Sequence, residues 1–111
     1  MTESILIALG GNAISREKEE GNLPDQYRNT TSTMSAIADV VKKTPRVILT
    51  HGNGPQVGNI LLRSEIAAET GRLYPLSLDV CVSDSEGGMG YMIQQIMFNE
   101  LVRRGTTRSI V

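Results

Sequence analysis

The chain has 111 residues, enough to bury about two-thirds of its unfolded surface around one small core and too few for a second full domain. Its 11 Lys and Arg against 12 Asp and Glu leave a net charge of -1, which excludes broad electrostatic attraction to nucleic acid or anionic membranes, so any anion is held locally. One cysteine, Cys81, excludes an internal disulfide framework and fits a reducing, cytoplasmic setting; no apolar run reaches the length of a membrane span, and Glu3 stands where a secretory leader would need basic residues.

A first strand is expected over 4–9, nearly continuous in apolar residues, the pattern of a strand covered by helices on both faces. It runs into Gly10, Gly11 and Asn12. Residues 15–26 are polar and interrupted by Gly21 and Pro24, which reads as a surface loop. A helix is expected over 25–43, because Met34, Ile37, Ala38 and Val41 recur at offsets of three, four and seven; Lys42 and Lys43 suit its carboxyl end and Pro45 stops it.

The second strand, over 46–50, is followed by His51, Gly52, Asn53, Gly54 and Pro55, with Pro55 well placed to begin a helix. Val57, Ile60, Leu61, Ser64 and Ala68 mark the inward face of that helix, which Gly71 ends. Leu61, Leu62, Ile66 and Ala67 put apolar residues on more than one side of it. Residues 72–77 read as a connector. A third helix is expected over 89–104 from Met89, Met92, Ile93, Ile96, Met97 and Leu101, with Gly105 as its stop. Residues 108–111 read as the start of a further strand, as in a fragment of a longer chain. The order is that of an α/β fold, with no internal boundary or repeat expected within 1–111.

Both glycine loops follow strands, and parallel strands joined by a helix place their carboxyl ends on one edge, where ligands bind. Glycine lets backbone amides approach an oxyanion, and a following helix adds the positive end of its dipole. Gly10, Gly11, Asn12, Gly52, Asn53 and Gly54 are therefore candidate residues for a phosphate or carboxylate. Each loop taken alone also has a purely structural account: Gly10 and Gly11 turn the chain, Asn12 caps the next turn, and Asn53 with Gly54 is a common turn dipeptide. Neither loop has the P-loop spacing or the three-glycine dinucleotide fingerprint.

His51 has no second histidine or paired carboxylate nearby in sequence, which favours a hydrogen-bonding role at the strand end over acid–base work. Cys81 reads as a small buried residue without activated chemistry. The carboxylates Asp79, Asp84 and Glu86 do not follow calcium-loop spacing, since Gly90 stands where that pattern needs glutamate; residues 79–90 read as a solvated, glycine-broken helix entry, and no metal site is expected. The methionines of the third helix fill core gaps.

The stretches Ile7, Ala8, Leu9, Gly10, Gly11, Asn12, Ala13 and Thr50, His51, Gly52, Asn53, Gly54, Pro55, Gln56, Val57, Gly58 closely resemble the two N-terminal motifs of carbamate kinases. So does Gly90, Tyr91, Met92, Ile93, Gln94, Gln95, downstream of Leu78, Asp79, Val80, Cys81. The resemblance spans this chain and about the first third of a typical family member. It implies the amino acid kinase fold, a three-layer α/β/α sandwich with a mainly parallel sheet, of which residues 1–111 are the N-terminal, substrate-side lobe.

The resemblance further implies a cytoplasmic homodimer of arginine metabolism that moves phosphate between ATP and carbamate, usually making ATP from carbamoyl phosphate and ADP with magnesium. The small-molecule substrate, carbamate or carbamoyl phosphate, would lie against Gly10, Gly11, Asn12, Gly52, Asn53 and Gly54. The nucleotide would lie on a C-terminal lobe, and the catalytic residues are unassigned because the family's lysines fall after Val111. The 111 residues alone are therefore expected to be inactive and to bind no cofactor.

Two departures stand out. Position 8 is alanine where many members of the wider amino acid kinase group carry lysine, a lack that carbamate kinases generally share. Val82, Ser83, Asp84, Ser85, Glu86 replaces the usual Gly, Ala, Met, Ser, Gln, and inward-pointing carboxylates there would oppose an anion. The alternative function is a non-catalytic anion-binding or interaction module that retains the fold, favoured if Asp84 and Glu86 face the crevice.

Overall fold

A computed structural model describes residues 3–111. The chain folds as strand β1 (Ser4–Leu9), a single 3-10 turn (Gly11–Ala13), helix α1 (Leu23–Lys43), strand β2 (Arg46–His51), helix α2 (Gly54–Glu69) and helix α3 (Leu78–Arg103). It divides into two compact units, one running to Gly52 and resuming over Met92–Val111, the other Asn53–Tyr91.

In the first unit β1 and β2 pair in parallel, from Ser4 opposite Arg46 to Leu9 opposite His51. Only one face of this two-stranded sheet is partly covered, that of Ile7, Leu9, Val47 and Leu49. The other exposes Leu6 at 61% and Ile48 at 54%, so the expectation of cover on both faces is not met within these residues. Helix α1 begins earlier than its apolar pattern implies. Asn22 Oδ1 accepts from Asp25 N at 2.9 Å, and Pro24, read from sequence as a breaker, sits in the first turn, where an amide hydrogen has no intrahelical carbonyl to meet.

The core of this unit joins Met34, Ala38 and Val41 of α1 with Met92, Ile93, Ile96, Met97 and Leu101 of α3. Thr30 Oγ1 near the start of α1 lies 4.0 Å from Met92 Sδ, and Arg104, just past the end of α3, donates to Asp39 near the end of α1 at 2.9 Å, so the two helices run in the same direction here. Arg104 also donates to Ser35 O and to the buried Glu100. Arg108 donates to Val41 O, Thr44 O and Pro45 O, serving carbonyls at the carboxyl end of α1 that lack helical partners. The strand expected over 108–111 is not formed. Its residues are engaged instead by side chains, with Ile110 O accepting from Gln94 Nε2 at 2.6 Å, and no ladder partner lies beside them among the described residues.

In the second unit, Val57, Ile60, Leu61, Ser64 and Ala68 form the half-buried face of α2, as their spacing predicts, while Leu62 and Ile66 are exposed. Ser64 Oγ accepts from Leu76 N at 2.6 Å and ties down the connector. Helix α3 starts eleven residues before its expected start at 89. The glycine-broken entry is in fact helical because Cys81, Ser85 and Met89, spaced by four, are all buried; a serine in the middle of that stripe hides the pattern from a purely apolar reading. The Ser77 hydroxyl, with the Val80 amide, holds the Asp79 carboxyl below its ordinary range at the start of this helix. Gly71 and Gly105 both adopt φ near +71°, the left-handed conformation of helix stops.

Candidate functional site

The register places the last residues of both strands opposite one another, Leu9 against His51, so Gly10 and Gly52 leave the sheet from the same edge. That is the carboxyl edge of a parallel pair. The two turns use their carbonyls internally: Ala13 N donates to Gly10 O at 3.0 Å, Ser15 N to Gly11 O at 3.1 Å and Val57 N to Asn53 O at 3.0 Å. Outside helices and ladder, no amide of Gly10, Gly11, Asn12, Gly52, Asn53 or Gly54 donates to a backbone carbonyl among the described residues.

At Gly10 the backbone has φ -70° and ψ 169°, open to any residue, and a Cβ there would meet nothing within 4 Å among the described residues. Neither conformation nor packing among the described residues demands glycine at this position. Its missing Cβ matters only to something approaching from outside.

The first turn is held from behind by α1. Thr33 Oγ1 donates to Ala13 O at 2.8 Å, and Asn29 Nδ2 donates to Ile14 O at 3.2 Å and to Glu19 Oε2 at 2.6 Å. Thr33 and Asn29 lie four apart and so project from one face of the helix. Asn29 is 2% exposed. Its donated hydrogen bond is the leading cause that holds the Glu19 carboxyl below its ordinary value, with Arg28 adding to it. The polar segment 15–22 is thereby anchored at Glu19. These two helix residues escape sequence reading because they are polar; the one available signal is that Thr33 and Asn29 stand four and eight residues before Ile37, on the same row of a helix that has to cover a core.

Asn12 is exposed, sits second in the 3-10 turn and has no side-chain partner among the described residues, so it does not cap. The expected helix dipole is missing at this loop, since a single 3-10 turn follows it and α1 starts only at Leu23. His51 is half-buried with Nδ1 3.0 Å from Gly52 O; a carbonyl can only accept, so Nδ1 carries the hydrogen and the imidazole serves the strand end as a hydrogen-bonding group.

In the second unit, Asn53 is the N-cap of α2, yet its side chain makes no capping bond. Nδ2 donates instead to Ser85 Oγ at 2.8 Å, and Ser85 Oγ donates to Val82 O at 2.6 Å. Asp84 and Glu86 flank Ser85 and are exposed; one residue along a helix turns the side chain by about 100°, so both carboxylates point off the face that meets Asn53. No group of three or more His, Cys, Asp or Glu able to hold a metal occurs among the described residues.

No family model matches the chain. It is 39% identical over 111 residues to a carbamate kinase of Pyrococcus horikoshii, covering 100% of this chain and 35% of that protein. It is 36% identical over 110 residues to a carbamate kinase-like protein of Escherichia coli, covering 99% of this chain and 35% of that protein. A solved carbamate kinase of Giardia lamblia bound to AMP-PNP superposes with a TM-score of 0.88 at 38% identity, over 96% of this chain and 37% of that one. The chain thus spans about a third of the length of the relatives it matches.

Proposed function

We propose that this chain, a homologue of carbamate kinases along its whole length and consistent with an N-terminal portion of one, forms the substrate side of a phosphotransferase. The reaction is reversible transfer of phosphate between ATP and the carboxylate of carbamate, run towards ATP from carbamoyl phosphate and ADP. Gly10, Gly11, Asn12, Gly52, Asn53 and Gly54 are its substrate-binding residues. One observation supports this most directly: the pairing of Leu9 with His51, which lets Gly10 and Gly52 leave the sheet at one edge.

In phosphoryl transfer negative charge spreads over the equatorial oxygens, and fixed donors stabilise it without forming a covalent bond to the protein. The amides of both turns and the Asn12 carboxamide are donors of that kind. Magnesium would accompany the nucleotide of the longer protein. A cytoplasmic homodimer serving arginine metabolism completes the proposal for the longer protein; no helix of the described residues is long and apolar enough to cross a membrane.

Carbamoyl phosphate added to the nitrogen-15-labelled chain is expected to shift the amide signals of residues 10–12 and 52–54, with equimolar chloride producing no such change. Signals that stay in place would sink the reading. The isolated chain is expected to form no ATP from carbamoyl phosphate and ADP, because the resemblance puts the nucleotide lobe and the family's lysines after Val111. Carbamoyl phosphate binding without ATP formation by any longer form of the protein would instead favour a non-catalytic anion-binding module.

A further inference from the structure

We infer that Ser85 is a positioning residue for Asn53, holding the second turn in the shape in which it receives its ligand. This rests on the reading of that turn as part of a site for carbamoyl phosphate. Asn53 has the residue type and position of a helix N-cap, and an asparagine there ordinarily accepts from an amide of the first helical turn. Here it does not. Its carboxamide is drawn 32 residues along the chain to α3, where Nδ2 lies 2.8 Å from Ser85 Oγ.

The hydroxyl settles which way the carboxamide faces. Ser85 has one hydrogen, and that hydrogen goes to Val82 O at 2.6 Å, so Oγ has only lone pairs left for Asn53. An Asn53 oxygen in the same place would put two acceptors against each other. The NH2 end therefore faces α3. Ser85 is 2% exposed, and water does not compete for the contact. The backbone of Asn53, with φ -142° and ψ 12°, is thus fixed through its side chain at the entry to α2, next to Gly52 on one side and Gly54 on the other. A turn held in advance does not have to be ordered when an anion arrives, and that saving is what the pair contributes to affinity.

The test is a carbamoyl phosphate titration of the labelled 111-residue chain as wild type, Ser85→Ala, Ser85→Thr, Asn53→Ala and the Asn53→Ala/Ser85→Ala double variant, with circular dichroism to check folding. Ser85→Ala should weaken the response of residues 52–54 about fivefold, the size of one neutral hydrogen bond. Ser85→Thr keeps the hydroxyl and should restore binding. The double variant should bind no more weakly than Asn53→Ala alone, which a general loss of stability would not produce. In ligand-free wild type, the Asn53 side-chain hydrogens should exchange more slowly than those of the exposed Asn59.

Equal binding by wild type and Ser85→Ala, or Asn53 hydrogens that exchange as fast as those of Asn59, overturns the assignment; the exchange measurement decides alone if the alanine variant does not fold. A wild-type chain that responds nowhere to carbamoyl phosphate overturns the underlying site and the role of Ser85 in it. That result is distinct from a response that is present but indifferent to Ser85.

Discussion

Asn29 Nδ2 donates to Glu19 Oε2 at 2.6 Å from a side chain that is only 2% exposed. The same nitrogen reaches Ile14 O at 3.2 Å, so both of its hydrogens are committed and the carboxamide has one orientation. A buried amide is in this way the joint between the polar segment after the first turn and the helix behind it.

Removing that joint should cost stability and loosen the turn together. Asn29→Ala leaves Ile14 O without its donor in a buried place, for which about 1–3 kcal/mol is expected in urea unfolding. Thr33→Val keeps the shape but not the hydroxyl that serves Ala13 O, and about 1 kcal/mol is expected. Both variants should broaden the amide signals of residues 10–12. Sharp, unmoved signals would show that the turn does not depend on α1.

Glu19 makes the joint sensitive to acid. Its folded pKa lies below the ordinary value of 4.5, first through the hydrogen bond from Asn29. A depressed carboxyl stabilises the fold fully above its unfolded pKa, and that stabilisation disappears as pH falls through the folded one. The chain should therefore lose stability on acidification below about pH 4.5, and Glu19→Gln should flatten that part of the curve while leaving the slope near neutrality unchanged. A melting series from pH 3 to 7 reads both.

Stability and binding should part company at Gly10. Its backbone already suits alanine, so Gly10→Ala should keep or slightly raise stability, by up to about 1 kcal/mol, through a less flexible unfolded chain. The added methyl group stands where an oxyanion would approach the amides. Carbamoyl phosphate binding should fall about tenfold or more, the effect of losing roughly 1.4 kcal/mol of contact. An undiminished affinity would mean that the anion does not approach there.

Arg104 gathers α1 and the end of α3 through Ser35 O, Asp39 and Glu100. Arg104→Ala should lower the urea midpoint. Arg104→Lys should recover little of it, because an ammonium lacks the planar fork that meets three acceptors at once. Full recovery by lysine would show that charge alone matters there.

The element order was legible because periodicity is local. Ser4–Leu9 forms the strand expected at 4–9, and every apolar residue assigned to the third helix is buried. The first eleven residues of α3 are not legible in the sequence because Ser85 interrupts the apolar stripe between Cys81 and Met89, and the partner that lets a serine be buried there, Asn53, lies 32 residues away. The early start of α1 was likewise hidden, because Asn22 and Pro24 carry turn and start signals alike.

From residue order alone came two turns rich in glycine and asparagine at the ends of strands, together with the family they resemble; spacing and residue type are properties of neighbours, and neighbours are what a sequence displays. The tertiary structure decided that Leu9 and His51 stand level, that Thr33 and Asn29 brace the first turn, and that Ser85 takes the Asn53 carboxamide. Those contacts join residues 15 to 32 apart along the chain or 42 apart across the ladder. Their partners are polar groups that water would satisfy equally well in an open chain, so only folding, by excluding water, makes each one choose.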